Sequence, residues 1–377
     1  MGEFALRRRS VVRHDRCVEH FREDEHTFTG SPGDESHGTL KRPIGGFSAT
    51  RAYDRPVALE TLKNRIDRLP GASVRTQRAV AVGVLLTQAL IAVAGSVVRV
   101  TGSGLGCSTW PECQPGSMVP VDHPEFAALH QWIEFGNRLL TGVVGIIAFA
   151  AFALAYLDRP RRRRYVRLGF LMPAGVVVQA VIGGMTVRFD LLWWTVAVHF
   201  LASALMVWLA TLFLHSIDEG DGPPVHRGLA PLRGLLPLMV VVLVGMLIAG
   251  TMVTGAGPHA GDPDTPRLAL PVDTLAHVHA AFLYVYLGML VAVGVMIKAD
   301  ADAPPVLWRR FALLTAVVLA QGVLGFVQYW TGVPELLVSL HVLGATAVIA
   351  ATASLWAGTR ERPLVRPGAD RVLVTRG

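Results

Sequence analysis

Charge is what this chain of 377 residues has least of. Only 17% of its residues are Asp, Glu, Lys or Arg, against about 25% in soluble globular domains. That deficit excludes an ordinary water-soluble enzyme. It also excludes a disordered chain, which is poor in apolar residues and rich in charge. Cysteine is scarce as well: three residues rule out a disulfide-dense scaffold. What fills the space is hydrophobic, 52% of the residues, with a mean hydropathy of +0.44.

The few charges are unevenly spread. Residues 1–78 carry 26 of the 63 charged side chains and contain no apolar run of signal-peptide type. They read as a polar, loosely structured tail with Gly, Pro, Ser and alternating charge. Arg7, Arg8 and Arg9 suit an anionic lipid surface. His14, His20, His26 and His37 lie here with Cys17, at spacings that fit no standard zinc site. The next Met after Met1 is Met118, inside the apolar body, so a start at another codon within the tail would not be visible.

The body is a run of membrane-spanning segments. A spanning helix needs about 20 mostly apolar residues. Eight such stretches read at 79–98, 131–157, 168–187, 193–214, 234–253, 274–297, 310–329 and 337–357. Arginine and lysine concentrate in alternate breaks: Arg159 to Arg167, then Arg227 and Arg233, then Lys298, Arg309 and Arg310, with Arg360 and Arg362 after the last stretch. The positive-inside rule makes these loops cytoplasmic and places both termini inside. The net charge of +7 is then ordinary inside charge, and no nucleic-acid partner is expected. The outward loops are 99–130, 188–192, 254–273 and 330–336.

The two halves of the body echo each other. Gln179-Ala-Val-Ile-Gly183 stands twenty residues before His199, and Gln321-Gly-Val-Leu-Gly325 stands twenty before His341, an offset of 142. The same offset carries Asn137 onto His279. Val100-Thr-Gly-Ser-Gly104 matches Val253-Thr-Gly-Ala-Gly257 at an offset of 153. The fold class expected is all-α, eight transmembrane helices as two tandem four-helix bundles, with units at 79–215 and 234–358 and a short tail at 359–377.

Three histidines lie inside apolar stretches. His199, His279 and His341 sit five to seven residues from the outer end, about 7–11 Å deep. An imidazole in lipid needs a partner. A single one reads as a helix-to-helix hydrogen bond, but three at repeat-related positions favour haem iron ligation. His277 competes with His279, and the repeat favours His279. His215, at an inner helix end, reads as interfacial. In the second stretch His130, Glu134 and Asn137 share one helix face. Glu134 has Ala276 as its repeat counterpart, so the acid exists in one half only. It is either a functional carboxylate or the partner of Arg138 four residues on. Cys107 and Cys113 share the first outer loop, where the compartment favours a disulfide, structural or redox-active. The run Thr101-Gly-Ser-Gly-Leu-Gly106 lacks the context of a phosphate loop and reads as a flexible helix-to-loop transition.

At these residues the chain resembles the heme A synthase family. The signal is Gly104-Leu-Gly-Cys107-x-x-Trp-Pro-x-Cys113 together with Glu134-Phe-Gly-Asn-Arg138, His199, His279, His341 and the duplicated layout, over about residues 76–358. The resemblance implies two four-helix bundles related by a pseudo-twofold axis. It implies haem b between His279 and His341, and a substrate haem in the first unit with His199 as ligand and Glu134 as catalytic acid. The family oxidises the C8 methyl of haem O to the formyl of haem A by successive hydroxylation, for a terminal oxidase. His130, Asn137 and Arg138 become substrate-haem contacts, and Cys107 and Cys113 the family's disulfide pair. Haem O synthase, the cytochrome oxidase assembly route, an electron donor the sequence does not name and the bilayer of the cell membrane are the implied partners. The sequence departs from the family at one place: many members have His where this chain has Asn137, and an amide is a poor ligand for haem iron. Two other readings stand beside this one, a quinone-linked di-haem electron-transfer protein and a repeat-built transporter.

Overall fold

The computed structural model describes residues 57–122 and 127–364. Eight long helices, each apolar and long enough to cross a membrane, make up the body. They are α2 (Val74–Val100), α3 (Ala128–Leu157), α4 (Arg163–Arg188), α5 (Trp193–Ser216), α6 (Leu232–Ala256), α7 (Val272–Ala299), α8 (Pro305–Trp330) and α9 (Glu335–Gly358), preceded by a short α1 (Val57–Asp67). The eight expected spans are all present. Most run two to five residues further at their ends, because a helix continues past the hydrocarbon into the headgroup region.

The extensions have local causes. Ser73 caps α2 by accepting from the Thr76 N–H. Pro305 opens α8 at its first position, where the missing N–H costs nothing. Arg163 and Arg164 belong to a helix rather than a loop because Asp221, 58 residues away, takes both of their backbone N–H groups, at 2.5 and 2.9 Å. A carboxylate there completes the free donors of the first turn and meets the positive end of the helix.

α1 lies inside the segment read as an unstructured tail. Residues 57–69 contain neither Gly nor Pro and are bracketed by Pro56 and Pro70, so Ala, Leu, Glu, Lys and Arg can express their helix preference. Asp67 at its end pairs with Arg159 and Arg161 of the α3–α4 loop, at 3.0 and 2.5 Å. The tail histidines, Cys17 and the residues after 364 lie outside the described residues.

Helices α2–α5 and α6–α9 each surround their own apolar core. The first centres on Ala81, Ala148, Ala151, Tyr165, Met172 and Phe213. The second centres on Met239, Leu243, Tyr286, Leu290, Leu314 and Leu355, and draws in Val207 from α5. α5 and α9 are the most buried spans and α8 among the least. α5 and α9 lie against each other, with Trp208 and Trp356 in edge contact at 6.0 Å. α2 packs on α5 and α9, and α6 on α5.

Below this seam the chain ties itself together. Two-residue strands β1 (Val225–His226) and β2 (Arg360–Glu361) pair antiparallel. Arg162 donates to the carbonyls of Ser216, Ile217 and Glu219 at the end of α5, and Glu219 pairs with Arg164.

One hydrogen bond crosses the second unit. The Tyr286 hydroxyl lies 2.7 Å from Thr352 Oγ1. Thr352 spends its own proton on the Val348 carbonyl, so Tyr286 is the donor. Replacing Tyr286 with Phe should cost about 0.5–1.5 kcal/mol. A modest fall in thermal midpoint is the expected reading.

Candidate functional site

The two histidines of the second unit face each other. The His279 and His341 ring centroids are 6.3 Å apart, with planes inclined at 62°. His279 Nδ1 donates to the Met246 carbonyl on α6 at 2.9 Å, which fixes the tautomer and leaves Nε2 as the free electron pair. His341 Nδ1 is buried without a hydrogen-bond partner among the described residues, and so is His199 Nδ1 on α5. His277, two residues from His279 and about 200° around the helix, is exposed and turns its Nδ1 back to the Asp273 carbonyl. The repeat therefore picks the inward ring of the two.

These rings fit an iron porphyrin. Metal–imidazole bonds of about 2 Å put two trans imidazole centroids roughly 6 Å apart, close to the separation found. Among the described residues no three His, Cys, Asp or Glu side chains converge as a metal cluster would need. A pair of opposed imidazoles suits a metal that brings its own in-plane ligands.

Each of the three histidines lies on a glycine of the neighbouring helix. A Cβ at Gly183 would stand 3.3 Å from the His199 ring. At Gly250 it would stand 3.1 Å from His279 Cε1, and at Gly325 3.1 Å from His341 Cε1. The Gln-x-x-x-Gly repeat carries two of these glycines, and its glutamines also serve the histidine helices. Gln321 donates to the His341 carbonyl at 2.8 Å. Gln179 reaches the His199 carbonyl through Ser203 Oγ, at 2.5 and 3.0 Å. Sequence reading took this motif as a marker of duplication. The periodic Gly before each His was the available signal for its role as a ring contact.

Glu134 is buried at 4% exposure with both oxygens engaged. Oε2 accepts from the Cys107 N–H at 2.6 Å. Oε1 accepts from Arg138, at 2.5 Å from Nη2 and 3.2 Å from Nε. The ion pair weighed for Glu134 is therefore present. Arg138 also donates to the carbonyls of Cys107, Thr109 and Glu112. All five of its N–H donors are engaged within the chain. Glu134 and Arg138 together grip the backbone of the first outer loop.

That loop is closed by the Cys107–Cys113 disulfide, both cysteines buried. Two glycines of the Thr101–Gly106 run, Gly104 and Gly106, are packed rather than slack, whereas Gly102 has open space around it. A Cβ at Gly106 would meet the His130 carbonyl oxygen at 2.5 Å, and one at Gly104 would meet Leu191 Cδ1 at 2.6 Å and the Gly261 carbonyl oxygen at 3.1 Å. The Gly104 N–H donates to that same Gly261 carbonyl at 2.8 Å. Arg99 reaches the His259 and Thr254 carbonyls at 2.7 and 3.0 Å. The outer loops of the two units are thus joined, a contact with no sequence signal because it pairs side chains with backbone far along the chain. His130 backs Gly106 at the loop base. Asn137 lies one turn from Glu134 with Oδ1 buried and unpartnered. Gly106→Ala should displace the loop from α3 at a cost of about 1–3 kcal/mol, seen as faster reduction of the disulfide by added thiol.

The comparisons place these features in a family. The family model COX15-CtaA, described as a cytochrome oxidase assembly protein, matches residues 78–353. A heme A synthase of Methylorubrum populi is 29% identical over 350 residues, covering 76% of this chain and 88% of its own length. One from Staphylococcus epidermidis is 27% identical over 286 residues, covering 70% and 90%. One from Bartonella bacilliformis is 22% identical over 325 residues, covering 74% and 90%. The matched region contains the disulfide loop, the Glu134–Arg138 pair and all three inward histidines, and the chain belongs to the COX15-CtaA family of cytochrome oxidase assembly proteins.

Proposed function

We propose that this protein is a heme A synthase of the cell membrane, oxidising the C8 methyl of haem O to the formyl of haem A. The observation that carries the reading is the pair His279 and His341, whose ring centroids lie 6.3 Å apart, close enough that both would hold one haem iron. In this reading the body is two tandem, pseudo-twofold-related four-helix units. Residues 79–215 take the substrate haem and 234–358 hold haem b. The basic loops face the cytoplasm together with both termini.

Haem b, when bound, supplies one-electron transfer. The chain's residues do the rest. His279 and His341 would hold haem b, and the Met246 carbonyl keeps His279 in the tautomer that presents Nε2. His199 is the ligand contributed to the substrate haem. Asn137, its expected counterpart across the first unit, offers an amide in place of a second imidazole. Glu134 holds or yields a proton at a carboxylate steadied by Arg138 and the Cys107 N–H. The disulfide loop lies over the outer end of α3 and limits water there.

Expression with and without a haem O synthase, followed by chromatography and mass analysis of extracted haems, tests the assignment. Haem A only when both are present is the expected result. Haem b and haem O alone, from folded protein with an electron supply, would favour the di-haem electron-transfer reading.

A further inference from the structure

We infer that Gly183, Gly250 and Gly325 are seats that orient the three histidine rings, and that Val97 occupies the place of a fourth seat and keeps the iron of the first unit open on the Asn137 side. The inference rests on the proposed haem reading and goes beyond it.

The geometry starts at Gly250. Its N–H position in α6 is four residues after Met246, so a side chain there would lean back over the Met246 carbonyl. Glycine leaves that carbonyl bare, and His279 Nδ1 uses it at 2.9 Å while the ring lies against the glycine. A methyl at 3.1 Å from Cε1 is tight enough to move the ring or break that bond. Gly183 and Gly325 lie against the His199 and His341 rings likewise, four residues after Gln179 and Gln321, but there neither Nδ1 has a hydrogen-bond partner among the described residues.

The first unit lacks the fourth pair. The offset of 153 that aligns Val100–Gly104 with Val253–Gly257 carries Gly250 onto Val97. The offset of 142 carries His279 onto Asn137. Ring and seat have changed together. Val97, a β-branched residue on an exposed part of α2, stands where the glycine would be, and the carbonyl of Val93, the counterpart of Met246, already accepts from Ser96 Oγ at 2.7 Å, so a ring at 137 finds neither the bare carbonyl nor the glycine. Asn137 is shorter than His and keeps a buried Oδ1 without a partner. The first unit thus offers one imidazole, His199, and a short amide facing it in the repeat. An iron held there has an open side that admits a small neutral ligand, whereas the iron between His279 and His341 has none.

Carbon monoxide added to the reduced, haem-loaded protein reads this out without catalysis. In the wild type, roughly half of the haem should bind carbon monoxide, and His341→Ala should assign the unreactive half to the second unit. Asn137→His alone should leave most of the reactive fraction in place, since the new ring has no seat. Val97→Gly with Asn137→His should abolish it and add a second low-spin signal in electron paramagnetic resonance. Gly250→Ala should shift the low-spin signal of the second unit and open that haem to carbon monoxide. Asn137→His alone as fully low-spin as the double variant, or Gly250→Ala with an unchanged spectrum, would overturn the seats. Wild-type protein with both haems unreactive would overturn the open side. Folded wild-type protein with no haem would instead overturn the underlying haem assignment. The valine-to-glycine change adds no bulk, so the set does not depend on Gly250→Ala folding.

Discussion

Glu134→Gln should cut haem A formation by about 10²–10⁴-fold while both haems still bind. The carboxylate accepts on two oxygens, from the Cys107 N–H and from Arg138. Glutamine accepts on one oxygen only, so its NH₂ must face another donor. The variant therefore loses the proton carrier and also one anchor of the outer loop, a charge-assisted contact of about 1.5–3 kcal/mol. Arg138→Gln separates the two effects. It frees the carbonyls of Cys107, Thr109 and Glu112 but keeps the acid, and should lower activity much less, by about tenfold. Equal losses in the two variants, measured as product per bound haem, would mean that Glu134 acts only by holding the loop.

His341→Ala should remove the low-spin haem b spectrum of the second unit and bring product formation close to zero. The pair at 6.3 Å works as a unit, so His279→Ala should do the same, and the double variant should lose little more. His199→Ala should leave that spectrum in place, because His199 belongs to the other unit's helices. An unchanged low-spin spectrum in His341→Ala would sink the ligand assignment. Retained spectrum with lost activity in His199→Ala would support the division of labour between the units. His341 lies against Gly325, where an added Cβ would stand 3.1 Å from its Cε1, so the alanine leaves a void beside a glycine and haem content should be measured along with the spectrum.

Much of this molecule is legible in its sequence because lipid imposes a simple code. Eight apolar stretches of span length became eight helices, since backbone polar groups have no other way to be satisfied in hydrocarbon. His199, His279 and His341 stood out because an imidazole in such a stretch needs a reason. The repeat chose His279 over His277, and the rings agree. What stayed hidden depends on distant backbone. Arg163 to Arg167 read as a basic loop, yet Asp221 draws Arg163 and Arg164 into α4. The glycines of Thr101–Gly106 read as slack, yet Gly104 and Gly106 are buried where other backbone comes close. Arg138 read as a partner of Glu134 or of a substrate, and no spacing showed that it also donates to carbonyls of a loop some thirty residues away. Composition carries no trace of such pairings, because any residue can supply a carbonyl.

The strand pair beneath the helices also sets an order of events in synthesis. Arg227 and Glu361, which pair beside it at 2.8 Å, are 134 residues apart. Glu219 and Asp221, just after α5, can pair at once with Arg164 and with the start of α4, but β1 has no strand partner until the chain has emerged past α9. At ordinary elongation rates of about 5–20 residues per second that wait is roughly 10–30 s. The first four helices thus spend that interval with β1 unpaired, and zipping of β1 onto β2 is the late step that registers complete delivery of both halves.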